Sequence, residues 1–143
     1  MSSMSARHRE MLEYLFEMQG GYLLRFTNDS FRRFMILHAD IDVYNAPGYN
    51  EESSKAKKFR YFLSNEPDAL VGQIILELLQ MRSDHIERLQ LENDEYIDSY
   101  SKYATEIENV ARAMCAGAAV PRNNQERLNA TLLSASNVLQ DLL

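Results

Sequence analysis

Leu70, Val71, Ile74, Ile75, Leu78 and Leu79 recur three and four residues apart. A stripe of that period gathers on one face of an α-helix, whereas a strand turns its side chains to alternate faces at every second residue. The pattern therefore predicts a central core helix. Ser64-Asn65-Glu66-Pro67-Asp68 opens it, with proline and acids in the first turn where the helix dipole favours them. The stripe is expected to run on, with a kink or break, through Ile86 and Leu89.

The same spacing recurs upstream. His8, Met11, Leu12, Leu15 and Phe16 predict a first helix from about Ser5 to Gln19, ended by Gly20-Gly21, because glycine accepts the left-handed conformation a helix end needs. Tyr22 to Phe26 is apolar and short, a strand by pattern but without an obvious pairing partner. Thr27-Asn28-Asp29-Ser30 supplies capping side chains for a second helix, with Phe31, Phe34 and Met35 inward, to about His38. Ala39 to Tyr44 reads as an extended turn, and Asn45 to Glu52 as an exposed loop around Pro47-Gly48. Ser53-Ser54 caps a third helix with Ala56, Phe59, Phe62 and Leu63 inward.

Downstream, Tyr96, Ile97, Tyr100, Tyr103, Ala104, Ile107, Val110, Ala111 and Met114 predict a long helix from about Asp94 to Ala116 with a narrow apolar seam. Gly117 to Pro121 breaks it. Asn123-Asn124 then caps a last helix carrying Leu128, Leu132, Ala135, Val138 or Leu139, and Leu142. Two such helices joined by a short loop are expected to form an antiparallel hairpin. The expected fold is all-α: a compact N-terminal helical bundle of about four helices over residues 5–91, then a long antiparallel helical hairpin over residues 94–143. The scarcity of Gly (5) and Pro (3) fits this. The apolar pattern still runs at Leu142-Leu143, which suggests a fragment or a module whose natural partner follows it.

Charge narrows the possible partners. Residues 1–63 hold nine Lys/Arg against eight Asp/Glu, and residues 64–143 hold six against thirteen. The acidic second half is a poor surface for a phosphate backbone, so any nucleic-acid contact is expected in the first half. Cys115, the single cysteine, cannot form an internal disulfide, and on an apolar helical face it reads as buried filler. No stretch approaches the ~20 apolar residues that span a bilayer. The start, Met1 to Arg9, lacks the apolar core of a signal peptide, so a cytoplasmic location is expected.

Chemistry-bearing patterns are few. His8, His38 and His85 lie on three segments, none with a second His or Cys at ligand spacing, so no metal and no cofactor is expected. There is no glycine-rich phosphate loop and no nucleophile elbow. Arg33 is followed by His38 five positions on. HEPN ribonucleases pair an arginine with a histidine at similar spacing, the arginine for the scissile phosphate and the histidine for acid/base work. Here Phe34 stands where that family usually has a polar residue. The bland reading is a surface arginine and a helix-ending histidine. Lys55, Lys57, Lys58 and Arg60 share the third helix and are candidates for binding a partner or nucleic acid, against a solvated face balanced by Glu51 and Glu52. Tyr96, Tyr100 and Tyr103, with Ile107 and Met114, are candidates for an oligomer or partner seam.

One ordered series goes further: Glu10-Met-Leu-Glu-Tyr-Leu-Phe-Glu-Met, Tyr22-Leu-Leu-Arg-Phe-Thr-Asn, Phe31-Arg-Arg-Phe, Ile41-Asp-Val-Tyr, Ser53-Ser-Lys-Ala-Lys-Lys-Phe-Arg-Tyr-Phe-Leu and Val71-Gly-Gln. Over about residues 9–91 it resembles the N-terminal domain of AbiJ-type abortive-infection proteins of bacterial antiphage defence. The Ser-Ser-Lys-Ala-Lys-Lys-Phe-Arg core is its most specific part. The resemblance implies a sensor or regulator that precedes an effector, often a HEPN ribonuclease. It is also similar to small helical adaptors that associate with their own kind. It implies no catalytic residues for this module.

Three readings follow. The first is a regulatory, sensor or protein-interaction module of an antiphage system, non-catalytic by itself, whose partner is an effector domain or a second copy. The second is a nucleic-acid sensor using Lys55 to Arg60. The third is a HEPN-like ribonuclease using Arg33 and His38.

Overall fold

A computed structural model describes residues 3–117. Among them the chain is all-helical, with five α-helices: α1 (Ala6–Leu15), α2 (Asn28–Ala39), α3 (Lys55–Asn65), α4 (Asp68–Glu92) and α5 (Ser101–Cys115). No helix among the described residues is long and apolar enough to cross a membrane. Tyr22 to Phe26 is not a strand but irregular chain between a short 3₁₀ turn (Gln19–Gly21) and α2.

The helix starts carry the expected capping chemistry. Ser5 Oγ accepts from the His8 amide (3.2 Å), and Ser54 Oγ from the Lys57 amide (3.1 Å). Thr27 and Ser30 form a reciprocal capping box at α2: Thr27 Oγ1 accepts from the Ser30 amide (3.0 Å) and Ser30 Oγ from the Thr27 amide (2.9 Å). Each satisfies a donor that the helix cannot satisfy itself.

The inward faces merge into one core. Leu12, Leu15 and Phe16 meet Phe31 and Met35, Phe59 and Phe62, Ile74, Ile75 and Leu78, and Ile107, Val110 and Met114. Each fully buried aliphatic or aromatic side chain of this kind contributes about 1.5–3 kcal/mol. α5 therefore shares the core of α1–α4. It runs antiparallel to α4: Gly72 near the start of α4 meets Ala111 and Met114 near the end of α5, while Arg82 reaches Asp98 just before α5. A Cβ on Gly72 would lie 2.6 Å from the Ala111 carbonyl oxygen, so only glycine permits this approach.

Several boundaries differ from the sequence pattern. α1 ends at Leu15 rather than near Gln19. Glu17 takes a left-handed backbone (φ 51°), and the Phe16 carbonyl accepts from the Leu24 amide (2.7 Å) instead of continuing the helix. α4 is one unbroken helix of 25 residues, with no break before Ile86 or Leu89. α5 starts at Ser101, not near Asp94: Asn93 Oδ1 accepts from the Glu95 amide and Asp98 Oδ1 from the Tyr100 amide, and these local bonds hold residues 93–100 in turns. Cys115 is exposed rather than buried. The last expected helix, and with it the second arm of the expected hairpin, lies outside the described residues.

Candidate functional site

A cavity of about 390 Å³ opens between the end of α1, the 24–26 segment, the distal half of α4 and the 96–100 loop. The chain reaches it through an unusual backbone. Leu24 has φ 45°, a conformation that side-chain-bearing residues rarely adopt. That turn sends Leu23 into the core (0% exposed) and leaves Leu24, Arg25 and Phe26 on the cavity wall. On the far wall, Met81, Arg82, His85, Ile86 and Leu89 recur at helical spacing along α4.

Two polar pairs shape this wall. Arg82 donates to both oxygens of Asp98 (2.9 and 2.6 Å), with the two side chains only 11% and 16% exposed. That fork holds the Asp98 carboxyl below its usual range, aided by the Tyr100 amide. Asp98 thus fastens the loop to α4 and precedes the first turn of α5. Arg25 Nε donates to His85 Nε2 (2.9 Å). The accepting Nε2 places the ring proton on Nδ1. Burial, then the positive charges of Arg25 and Arg88, lower the His85 pKa, so the ring is neutral at pH 7.

The arginines among the described residues divide into three groups. Arg7, Arg32, Arg33, Arg60, Arg82 and Arg112 each have a carboxylate within ion-pair distance. Arg9 donates to the Ser64 hydroxyl and the Leu63 carbonyl. Among the described residues, Arg25 and Arg88 have no carboxylate at that distance, and both line the cavity. Its rim is apolar: Tyr14, Met81, Ile97 and Tyr100 are all exposed there, Ile97 by 80%.

The residues singled out from sequence are scattered around this site. Of the seam set, Tyr96 and Tyr100 line the cavity from the loop rather than from a helix. Tyr100 stacks on Tyr14 (5.7 Å between ring centres), and Tyr103 packs edge-on to Tyr14 (6.4 Å). Ile107 and Met114 are buried in the chain's own core and offer nothing to a partner.

The basic residues of α3 do not form one free face. Lys58 is 4% exposed; its ammonium donates to the Tyr49 carbonyl (2.8 Å), lies 4.7 Å from the centre of the Tyr44 ring, and has its pKa lowered by burial. Arg60 is held by Glu13 (2.7 and 2.9 Å). Lys55 donates to Asn28 Oδ1 (3.2 Å) and lies over the Tyr22 ring, while Lys57, exposed, donates to Ser53 Oγ (3.4 Å). Positions three apart on α3 share a face, so Lys55 and Lys58 turn toward the preceding loop and away from Lys57.

Arg33 and His38 both lie on α2, about 140° apart around its axis. Arg33 pairs with Asp29 (3.0 Å), and His38 packs on Phe34 (4.6 Å between ring centres). They do not converge.

A second polar cluster joins α1 to α5. His8, 1% exposed, contacts Glu106 through Nε2 (3.0 Å), and Arg7 bonds to the same carboxylate. Arg7 holds the Glu106 carboxyl low, while burial pushes His8 down despite that carboxylate. His8 Nδ1 is buried without a hydrogen-bond partner among the described residues. This cluster is a joint between helices, closed to solvent on the histidine side.

Comparison with protein-family models, with curated proteins and with solved structures finds no match to this chain.

Proposed function

We propose that this chain is a cytoplasmic regulatory or sensor module of a bacterial antiphage system of the abortive-infection type, non-catalytic by itself. It recognises its signal at the cavity beside α4 and passes it to an effector protein or a second copy of itself. The observation that carries this reading is the pairing of an apolar, solvent-open cavity with two arginines, Arg25 and Arg88, that have no carboxylate among the described residues. Sites for small ligands are typically concave, mostly apolar and equipped with a few oriented polar groups. His85 suits recognition better than proton transfer, because its Nε2 lone pair is taken by Arg25. The exposed rim of Tyr14, Met81, Ile97 and Tyr100, continued by Tyr103, supplies apolar surface for a partner. The defence context comes from the sequence resemblance over about residues 9–91.

The test is a phage challenge of cells carrying the native locus. Deleting this chain is expected to raise plaque counts at least about tenfold, while the chain expressed alone leaves growth normal. Growth arrest by the chain alone, or RNA cleavage by the purified chain that His38→Ala abolishes, would overturn the reading in favour of a ribonuclease.

A further inference from the structure

We propose that the cavity beside α4 binds a small organic anion: an acidic group carried on an apolar or aromatic body. The proposal rests on the recognition reading above and names the chemistry that the cavity takes.

The polar end is positive in a chain of net charge −6. Arg82 is neutralised by Asp98, but Arg25 and Arg88 have no such partner among the described residues. Arg25 spends Nε on His85, which orients the guanidinium plane and leaves both Nη groups without a hydrogen bond among the described residues. A guanidinium so fixed is prepared for a planar carboxylate or a phosphate, which it grips with two parallel bonds. His85 adds the Nδ1–H donor. Glu17 also lines the cavity and, with Glu92, acts on His85 with opposite sign, but the effects of Arg25 and Arg88 on that ring are larger.

The remaining wall is hydrocarbon: Leu24, Phe26, Met81, Ile86, Leu89 and Ile97, beside the stacked pair Tyr14 and Tyr100. A volume of about 390 Å³ holds one small molecule and is too small for a helix. An inorganic ion would leave the hydrocarbon wall wet, and a neutral apolar compound would leave the guanidinium groups unanswered.

The probe is anilinonaphthalene sulfonate, compared with its uncharged counterpart phenyl-naphthylamine, each titrated by fluorescence into the full chain. The sulfonate is expected to bind saturably at one site, and the neutral dye at least about tenfold more weakly. Arg25→Ala and Arg88→Ala should each weaken the sulfonate about tenfold, leave the neutral dye unchanged and leave thermal unfolding unchanged. Arg112→Ala, outside the cavity, should alter neither. Displacement by phenyl phosphate or by benzoate identifies the acidic group, with inorganic phosphate at least about tenfold poorer because it lacks the body. Equal binding of the two dyes, indifference to both cavity arginines, or no saturable binding would overturn the proposal. Such a result beside intact phage protection would remove the anion assignment alone.

Discussion

The two halves of α4 belong to one helix and meet different surroundings. In the first, Val71, Ile74, Ile75 and Leu78 are fully buried, and Gly72 lets α5 approach to van der Waals contact. In the second, no side chain is buried: Met81, Arg82, His85, Ile86 and Leu89 wall the cavity, and Leu91 is 85% exposed. Both halves carry apolar residues at helical spacing, yet among the described residues only the first has its apolar face covered. An apolar stripe shows which face of a helix is adhesive; whether that face is covered depends on how far the other helices extend. Here α1 ends at Leu15, and residues 93–100 form a loop, so among the described residues nothing closes over the distal wall.

The contrast is sharpest in stability. Leu78→Ala should cost about 2–5 kcal/mol, read as a lower midpoint in urea unfolding, because it leaves a void in a closed core. Leu91→Ala, with the same atoms removed from an exposed site, should stay within about 0.5 kcal/mol. Comparable costs at the two positions would mean that the distal half is covered in solution.

Arg82 tests whether the distal half has any strong anchor. Arg82→Ala strands the Asp98 carboxylate in a mostly buried site and should cost about 1–3 kcal/mol. The paired change Arg82→Met with Asp98→Leu should recover part of that loss, since it removes both partners. A loss unchanged in the double variant, in which methionine keeps the aliphatic stem, would show that the polar bonds of Asp98 to Arg82 and to the Tyr100 amide do the holding.

The smallest effect separates the joint at α1–α5 from the cavity through pH. Burial keeps His8 below its ordinary value of 6.5 in the folded chain, so the unfolded chain binds the extra proton first as pH falls. Stability from His8 is therefore complete above that value and is lost as pH falls from there toward the depressed folded value. His85, also depressed, acts in the same direction. Glu106 is held low and stays charged through that window. Unfolding midpoints of the native chain should drop between about pH 7.5 and about pH 5.5, and His8→Gln should flatten that slope. Equal slopes in the two proteins would mean that His8 binds its proton equally well in the folded and the unfolded chain.

Much of the helical core was legible because its information is local. Leu12 and Leu15, Phe31 and Met35, Phe59 and Phe62, and Ile74 and Leu78 sit where the three- and four-residue spacing places them. The start of α5 misled because Tyr96 and Ile97 keep helical spacing, while the side chains of Asn93 and Asp98 bond neighbouring amides and win the backbone. The cavity left no comparable trace. Arg25 and His85 are 60 residues apart, Arg82 and Asp98 are 16 apart, and His8 and Glu106 are 98 apart. No local rule connects such pairs. Lys58 was misplaced for the opposite reason: its charge suggested solvent, whereas the Tyr49 carbonyl and the Tyr44 ring replace water around its ammonium.

That sequestered amine gives the molecule an internal clock. Lys55 and Lys57 stand nearby on the same helix and are more open to solvent, so an acylating reagent reaches them in the resting state. It reaches Lys58 only when the ammonium is released from the Tyr49 carbonyl and exposed to water. The lag between the two labelling events, followed by peptide mass, measures how often Lys58 is uncovered, and its comparison with global unfolding separates local from whole-fold opening.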